Sequence, residues 1–184
     1  GRKRMVVALE PSRAPDYGRL KEYAPFSFTT EETGGIIGNG DITMDWIVHV
    51  LKRTVDTQYR TKADRRHTFL AGSSMGGLMT LYGLLAYPEV FSRGAALSPS
   101  LWIDAEKVKA MIRHARVKRN TVLYMDYGAL EFADHPHSRS LFAEVSALLI
   151  EKRVLLNSRI VPRGTHCEAS WEKQIPFFMK TLFE

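Results

Sequence analysis

Phe69-Leu70-Ala71-Gly72-Ser73-Ser74-Met75-Gly76-Gly77-Leu78 is an apolar run stopped by a Gly-x-Ser-x-Gly pentapeptide, with helical periodicity starting directly after it. The pattern predicts a strand over 66–71, a sharp turn, and a helix over 78–86. A serine hydroxyl is a useful nucleophile only where it projects beside a base. A tight strand-to-helix turn achieves this by holding the serine backbone in a strained conformation. Side chains two positions to either side would crowd such a turn, which accounts for Gly72 and Gly76. The following helix aims its free N–H groups, that of Met75 first, at the place where negative charge would develop. Ser74 is therefore the candidate nucleophile. Ser73 sits one place out of phase with the glycines.

Outward from this turn, strand and helix patterns alternate. Met5-Val6-Val7-Ala8-Leu9 is a continuous apolar run, the pattern of a strand buried on both faces. Residues 11–40 form a long polar and aromatic loop, a length that is usually functional. Asp41 is placed to cap a helix running to Tyr59, with Trp46, Val50, Leu51 and Val55 near helical spacing. Strands are expected over 94–98, 122–127 and 155–161, and helices over 104–113, 138–151 and 169–182, the last bent or broken near Pro176. This is the α/β class: a mainly parallel sheet with helices on both faces and the site at the carboxyl ends of the strands.

Composition sets the outer bounds. With 184 residues, 45% of them hydrophobic and 25% charged, the chain has the makings of one globular domain. No apolar stretch approaches the roughly 20 residues of a membrane span, so no membrane partner is expected. The single cysteine, Cys167, excludes an intrachain disulfide and fits a reducing compartment such as the cytoplasm. The net charge of +6 is scattered over clusters such as Arg2-Lys3-Arg4, 62–66 and Lys118-Arg119, without interleaved aromatic residues. That describes a solvated basic surface and not a nucleic-acid platform, although an anionic substrate would gain from the field.

A nucleophilic serine needs a base and an orienting acid, which in α/β-hydrolase sites follow in the order Ser, acid, His. Behind the last strand comes Val161-Pro162-Arg163-Gly164-Thr165-His166, a strand-end loop that puts His166 where a base belongs. His49, His67 and His114 fall in helices or at a strand start. His135-x-His137 follows Asp134 with metal-like spacing, yet no second ligand cluster accompanies it, so neither a metal nor any other cofactor is expected. Cys167 adjoins His166, but neighbours on an extended loop point apart, which makes it a packing residue. For the acid, Glu131 stands just past a strand end on a loop opened by Gly128. Asp134 is the runner-up, and Asp126 belongs to the strand.

Several motifs in fixed order then resemble the esterase D and enterochelin-esterase group of α/β-hydrolases, which includes feruloyl esterase domains and bacterial mycolyltransferases. They are Arg19-Leu-Lys-Glu22-Tyr23-Ala-Pro25, Gln58-Tyr-Arg-Thr61, Gly72-Ser-Ser-Met-Gly-Gly77, Tyr87-Pro-Glu-Val-Phe91, Leu97-Ser-Pro-Ser-Leu-Trp102, Gly128-Ala-Leu-Glu131 and Gly164-Thr-His166-Cys-Glu-Ala-Ser-Trp171. The resemblance implies Ser74 as nucleophile, Glu131 as acid, His166 as base and the Met75 N–H in the oxyanion hole. It puts Trp102 on the acyl or aromatic side of the pocket and Arg19 near its mouth. The plain alternative for both Trp102 and Trp171 is core packing.

In one respect the sequence departs from that family, whose chains normally carry further strands before the one matching Met5–Leu9. One of these ends in His-Gly or Asp-Gly and supplies the second oxyanion-hole donor. The expectation is therefore a chain that lacks N-terminal strands and is a feeble esterase for want of that donor. Its first strand either pairs with Phe69-Leu70-Ala71 or is covered by a second copy in a homodimer. The activity implied is hydrolysis of a small-molecule ester through an acyl-enzyme. The alternatives are acyl transfer to an alcohol and a catalytically silent binding module.

Overall fold

The computed structural model describes residues 4–134 and 137–184, the side chain of Asp134 excepted. A short antiparallel hairpin, β1 (Phe28–Thr30) and β2 (Gly34–Ile36), precedes the main sheet. That sheet has four parallel strands in spatial order equal to chain order: β3 (Phe69–Ser73), β4 (Arg93–Leu97), β5 (Val122–Gly128) and β6 (Leu155–Val161). The register pairs Ser73 with Leu97 and Leu97 with Asp126. The residues that follow, Ser74, Ser98 and the end of β5, therefore emerge together at one edge of the sheet.

Of the helices before the sheet, α1 (Gly18–Tyr23) packs against α2 (Gly40–Trp46), which is joined to α3 (Lys52–Gln58) through a π turn at Ile47–Leu51. The crossovers are carried by α4 (Met75–Ala86), α5 (Ala105–His114), the single turn α6 (Glu131–Asp134) and α7 (His137–Glu151). The chain closes with α8 (Glu168–Glu172) and α9 (Ile175–Phe183).

Period-two alternation sends neighbouring strand residues into two cores. Ala96, Leu123 and Met125 pack with Leu78, Leu81, Val108, Ile112, Val145 and Leu149 from α4, α5 and α7. Ala95, Leu97 and Tyr124 meet Leu182 of α9 on the opposite face, with Phe178 and Trp171 beside them. Residues one helical turn apart supply these contacts: Val108 and Ile112 on α5, and Leu141, Val145 and Leu149 on α7. Each such fully buried aliphatic side chain contributes about 1.5–3 kcal/mol. The central helix α4 is buried along most of its length, which explains its lack of a polar face.

Three expectations need correction. Met5–Leu9 is not a strand and does not pair with β3; Val6 is 86% exposed. A strand exists only in a ladder, and among the described residues β3 bonds β4 alone. The run instead lies along α3, where Met5, Val6 and Val7 line an open groove of about 450 Å³ with Val55 and Tyr59. The 11–40 segment is no unstructured loop, because buried Phe28 and Ile36 anchor the hairpin while Leu20 and Tyr23 of α1 pack on the core. The strand into the turn starts at Phe69, since Asp64 caps a 3₁₀ turn at Arg65–His67 by accepting from the Arg66 N–H. The closing helix is broken near Pro176 as expected, into two helices. Pro176 lacks an N–H and sits in the first turn of α9, where none is needed, so the break falls just before it.

Candidate active site

Ser74 stands between β3 and α4 at φ 55° and ψ −122°, a conformation that costs a non-glycine residue about 1–3 kcal/mol. Three backbone bonds hold it there. Its N–H donates to the Leu97 carbonyl at 2.9 Å, and its carbonyl accepts from Leu78 and Ser100, both at 3.1 Å. The glycines of the pentapeptide have different reasons. A Cβ on Gly72 would lie 2.5 Å from the Gly76 backbone, whereas one on Gly76 would meet open space. Only Gly72 is required by crowding, which corrects the symmetrical expectation.

His166 reaches Ser74 because the loop after β6 is pinned to the end of β5. The Leu130 N–H donates to the Gly164 carbonyl at 3.0 Å and the Ala129 N–H to the Val161 carbonyl at 2.9 Å. The two segments approach so closely that a Cβ on Gly128 would lie 2.4 Å from the Gly164 backbone. His166 Nε2 is then 3.0 Å from Ser74 Oγ, and its Nδ1 is 2.7 Å from Glu131 Oε2. Glu131 opens α6 and does not sit on a loop, and its side chain is 5% exposed.

The other oxygen of that carboxylate is also occupied. Glu131 Oε1 accepts from the Ser98 hydroxyl and from the Gly128 N–H, each at 2.7 Å. Burial alone would raise the Glu131 carboxyl, but the hydrogen bonds from His166, Ser98 and Gly128 outweigh it and hold the group below its ordinary value. Asp126 behaves oppositely. Burial dominates and raises it, although it accepts from the Tyr124 hydroxyl at 2.7 Å and the Ser98 N–H at 3.2 Å. Ser98 itself sits at φ 40°. Beyond it, the Ser100 hydroxyl lies 3.3 Å from Ser74 Oγ.

The remaining sequence candidates are dispersed. Trp102 is 47% exposed on the 3₁₀ turn Leu101–Asp104, two residues past Ser100, and is not a core residue. Arg19 is exposed on α1, which packs against α2 and α4. Met75 is the first residue of α4, so its N–H has no intrahelical acceptor. His49, His67 and His114 are engaged by Asp45, Asp64 and the Ala110 carbonyl respectively. Cys167 Sγ is 3.2 Å from Thr165 Oγ1. The side chain of Asp134 and residue His135 lie outside the described residues. Among the described residues no group of three metal-ligating side chains exists, and no helix is long and apolar enough to cross a membrane.

Sequence reasoning missed Ser98, Ser100 and the indole of Trp171 as members of this cluster. The available signal was position: Ser98-Pro99-Ser100 leaves the carboxyl end of the strand beside β3, where sites in parallel sheets gather.

The fold is that of the α/β-hydrolases, and solved structures of similar fold bear it out. An IroE-like serine hydrolase from Shewanella oneidensis superposes with a TM-score of 0.71 at 19% identity, over 89% of this chain and 55% of that one. The siderophore hydrolase EstA from Aspergillus nidulans gives 0.65 at 19% identity, over 86% of this chain and 63% of the other. In sequence, 78 residues are 35% identical to the iron(III) salmochelin esterase of Escherichia coli O6:H1 (strain CFT073), 42% of this chain and 19% of that protein. The chain thus spans only part of each relative's length. The profile of the family described as "Putative esterase" matches residues 27–179, and the chain belongs to that family.

Proposed function

We propose that the protein is a serine carboxylic-ester hydrolase that works through an acyl-enzyme. The observation that carries this reading is the unbroken chain of contacts from Ser74 Oγ through both nitrogens of His166 to buried Glu131. His166 Nε2 takes the Ser74 proton as Oγ attacks the ester carbonyl carbon, and the resulting oxyanion accepts from the Met75 N–H. Collapse breaks the bond to the alcohol, which leaves with the proton from His166. Water then repeats the sequence on the acyl-serine: His166 takes its proton, the acid departs, and Ser74 Oγ regains the proton. Glu131 fixes the tautomer, with Nδ1–H donating to Oε2, and stabilises the imidazolium that forms twice per turnover.

The relatives named for siderophores make a siderophore ester the first substrate to try, and a net charge of +6 favours an anionic one. Trp102 and Arg19 are proposed to line the pocket. A fluorophosphonate probe tests the reading without knowledge of the substrate. Ser74→Ala is expected to abolish labelling, with Ser73→Ala and Cys167→Ser labelling at rates near the unsubstituted protein. Labelling that survives Ser74→Ala overturns the assignment.

A further inference from the structure

A serine hydroxyl has one proton to give and rotates freely, so its usefulness to a neighbour depends on what else holds it. The Ser98 hydroxyl is held on its other side. Trp171 Nε1 lies 3.0 Å from Ser98 Oγ, and an indole N–H is a donor only. It takes an acceptor position on Ser98 and leaves that residue's own proton for Glu131 Oε1 at 2.7 Å. The direction of the chain is thereby fixed: Trp171 donates to Ser98, and Ser98 donates to Glu131. With Oε1 held by Ser98 and by the Gly128 N–H, the carboxylate presents Oε2 to His166. The same indole packs edge-on against the His166 ring, with centroids 5.0 Å apart and planes at 84°. One side chain therefore touches both ends of the hydrogen-bonded path that orients the Glu131–His166 contact.

We propose that Trp171 is a positioning residue that sets the orientation of Glu131, and through it His166, by polarising the Ser98 hydroxyl. This rests on the Ser74–His166–Glu131 reading above. Packing in the second core is a real part of what Trp171 does, since it packs against the cluster formed by Ala95, Leu97, Tyr124 and Leu182. Packing does not require the N–H to end on a buried hydroxyl that is itself committed to the acid. The backbone of Ser98, at φ 40° and with its N–H tied to Asp126, points the same way: this serine is kept in an unfavourable conformation between two carboxylates.

The test is the rate of fluorophosphonate inactivation of the full chain, compared among Trp171→Phe, Ser98→Ala and the double variant. Trp171→Phe keeps an aromatic ring at this position and removes the N–H donor together with part of the indole's volume; Ser98→Ala, which leaves the indole in place, controls for that lost volume. Each single substitution is expected to lower the maximal inactivation rate about 3- to 10-fold, the range for one lost hydrogen bond, with the half-saturating probe concentration unchanged. The double variant is expected to be no slower than Ser98→Ala alone, because the Trp171 N–H acts only through that hydroxyl. The inference is overturned by a wild-type rate in Trp171→Phe, by losses that multiply in the double variant, or by a loss confined to half-saturation. If Trp171→Phe does not fold, Ser98→Ala decides, and a wild-type rate there overturns the proposal. Glu131→Gln separates the two levels. A wild-type rate in that variant removes the triad reading and this inference together. A slow Glu131→Gln beside wild-type Ser98→Ala and Trp171→Phe removes only the inference.

Discussion

The two ends of the β3 neighbourhood are built on opposite principles. At its carboxyl end, Ser74, Ser98, Glu131, His166 and Trp171 each have a named hydrogen-bond partner, and two of them occupy strained backbone conformations. Along its outer edge, β3 has no strand partner among the described residues, and the apolar run at residues 5–9 lies exposed beside α3. Strain and burial of charge persist only where surrounding contacts over-determine them. The site's geometry therefore depends on the β4, β5 and β6 side of the sheet, and the outer side of β3 contributes nothing visible to it.

The largest expected effect breaks the well-determined end. Glu131→Gln keeps shape and burial but removes the negative charge that faces the His166 ring, and turnover of an ester is expected to fall by about 10³- to 10⁴-fold. The same substitution alters acid stability with a definite sign. The folded Glu131 carboxyl is held below its ordinary value, so its stabilisation is complete above that value, about pH 4.3 for a free Glu. It is lost as pH falls through the lower folded value. Urea unfolding between pH 3 and 5 is expected to show this acid-dependent component in the unsubstituted protein and a shallower dependence in Glu131→Gln. A Gln variant that turns over at the wild-type rate would remove Glu131 as the acid.

How far the sequence carried these conclusions differs between the same two regions. Strands β3 to β6, α4 and the triad candidates were legible because each has a local signature: a doubly apolar run, a glycine-flanked serine, a histidine after a strand-end glycine. Ser98 and Trp171 were not, since their value arises from a meeting of residues 73 positions apart, which no local pattern encodes. Met5–Leu9 failed for the converse reason. Its local pattern is that of a buried strand, but a strand needs a partner, and pairing is a tertiary property. The hairpin was hidden because each of its strands is three residues long with one buried apolar residue, Phe28 or Ile36, too short for a period-two alternation to show.

A smaller effect sharpens the comparison within the turn itself. Gly72→Ala puts a Cβ 2.5 Å from backbone atoms of Gly76, which cannot swing aside as a side chain would. A loss of about 3 kcal/mol in unfolding free energy is expected, as for overpacking at a rigid site. Gly76→Ala places its Cβ in open space on a helix, where replacing glycine gains about 0.5 kcal/mol. Chemical denaturation of the two variants checks the contrast. Equal losses would mean that both glycines are sterically required, as the pentapeptide alone suggests.

The smallest expected effect lies at the other end of the comparison and is the one able to break it. Val6 is 86% exposed and lines one wall of the open groove against α3. Val6→Lys is therefore expected to change unfolding free energy by no more than about 0.5 kcal/mol, the range for substitutions that touch nothing buried. Fluorophosphonate labelling of Ser74 is expected to continue at the same rate, because none of the contacts that hold Ser74, His166 and Glu131 involves residues 5–9. A second copy of the chain covering this run would give a different result. A lysine would then be forced into an apolar contact, stability would fall with protein concentration held constant, and sedimentation would shift from dimer to monomer. If labelling of Ser74 fell with it, the outer side of β3 would prove to support the site after all, and the separation of the two regions would fail.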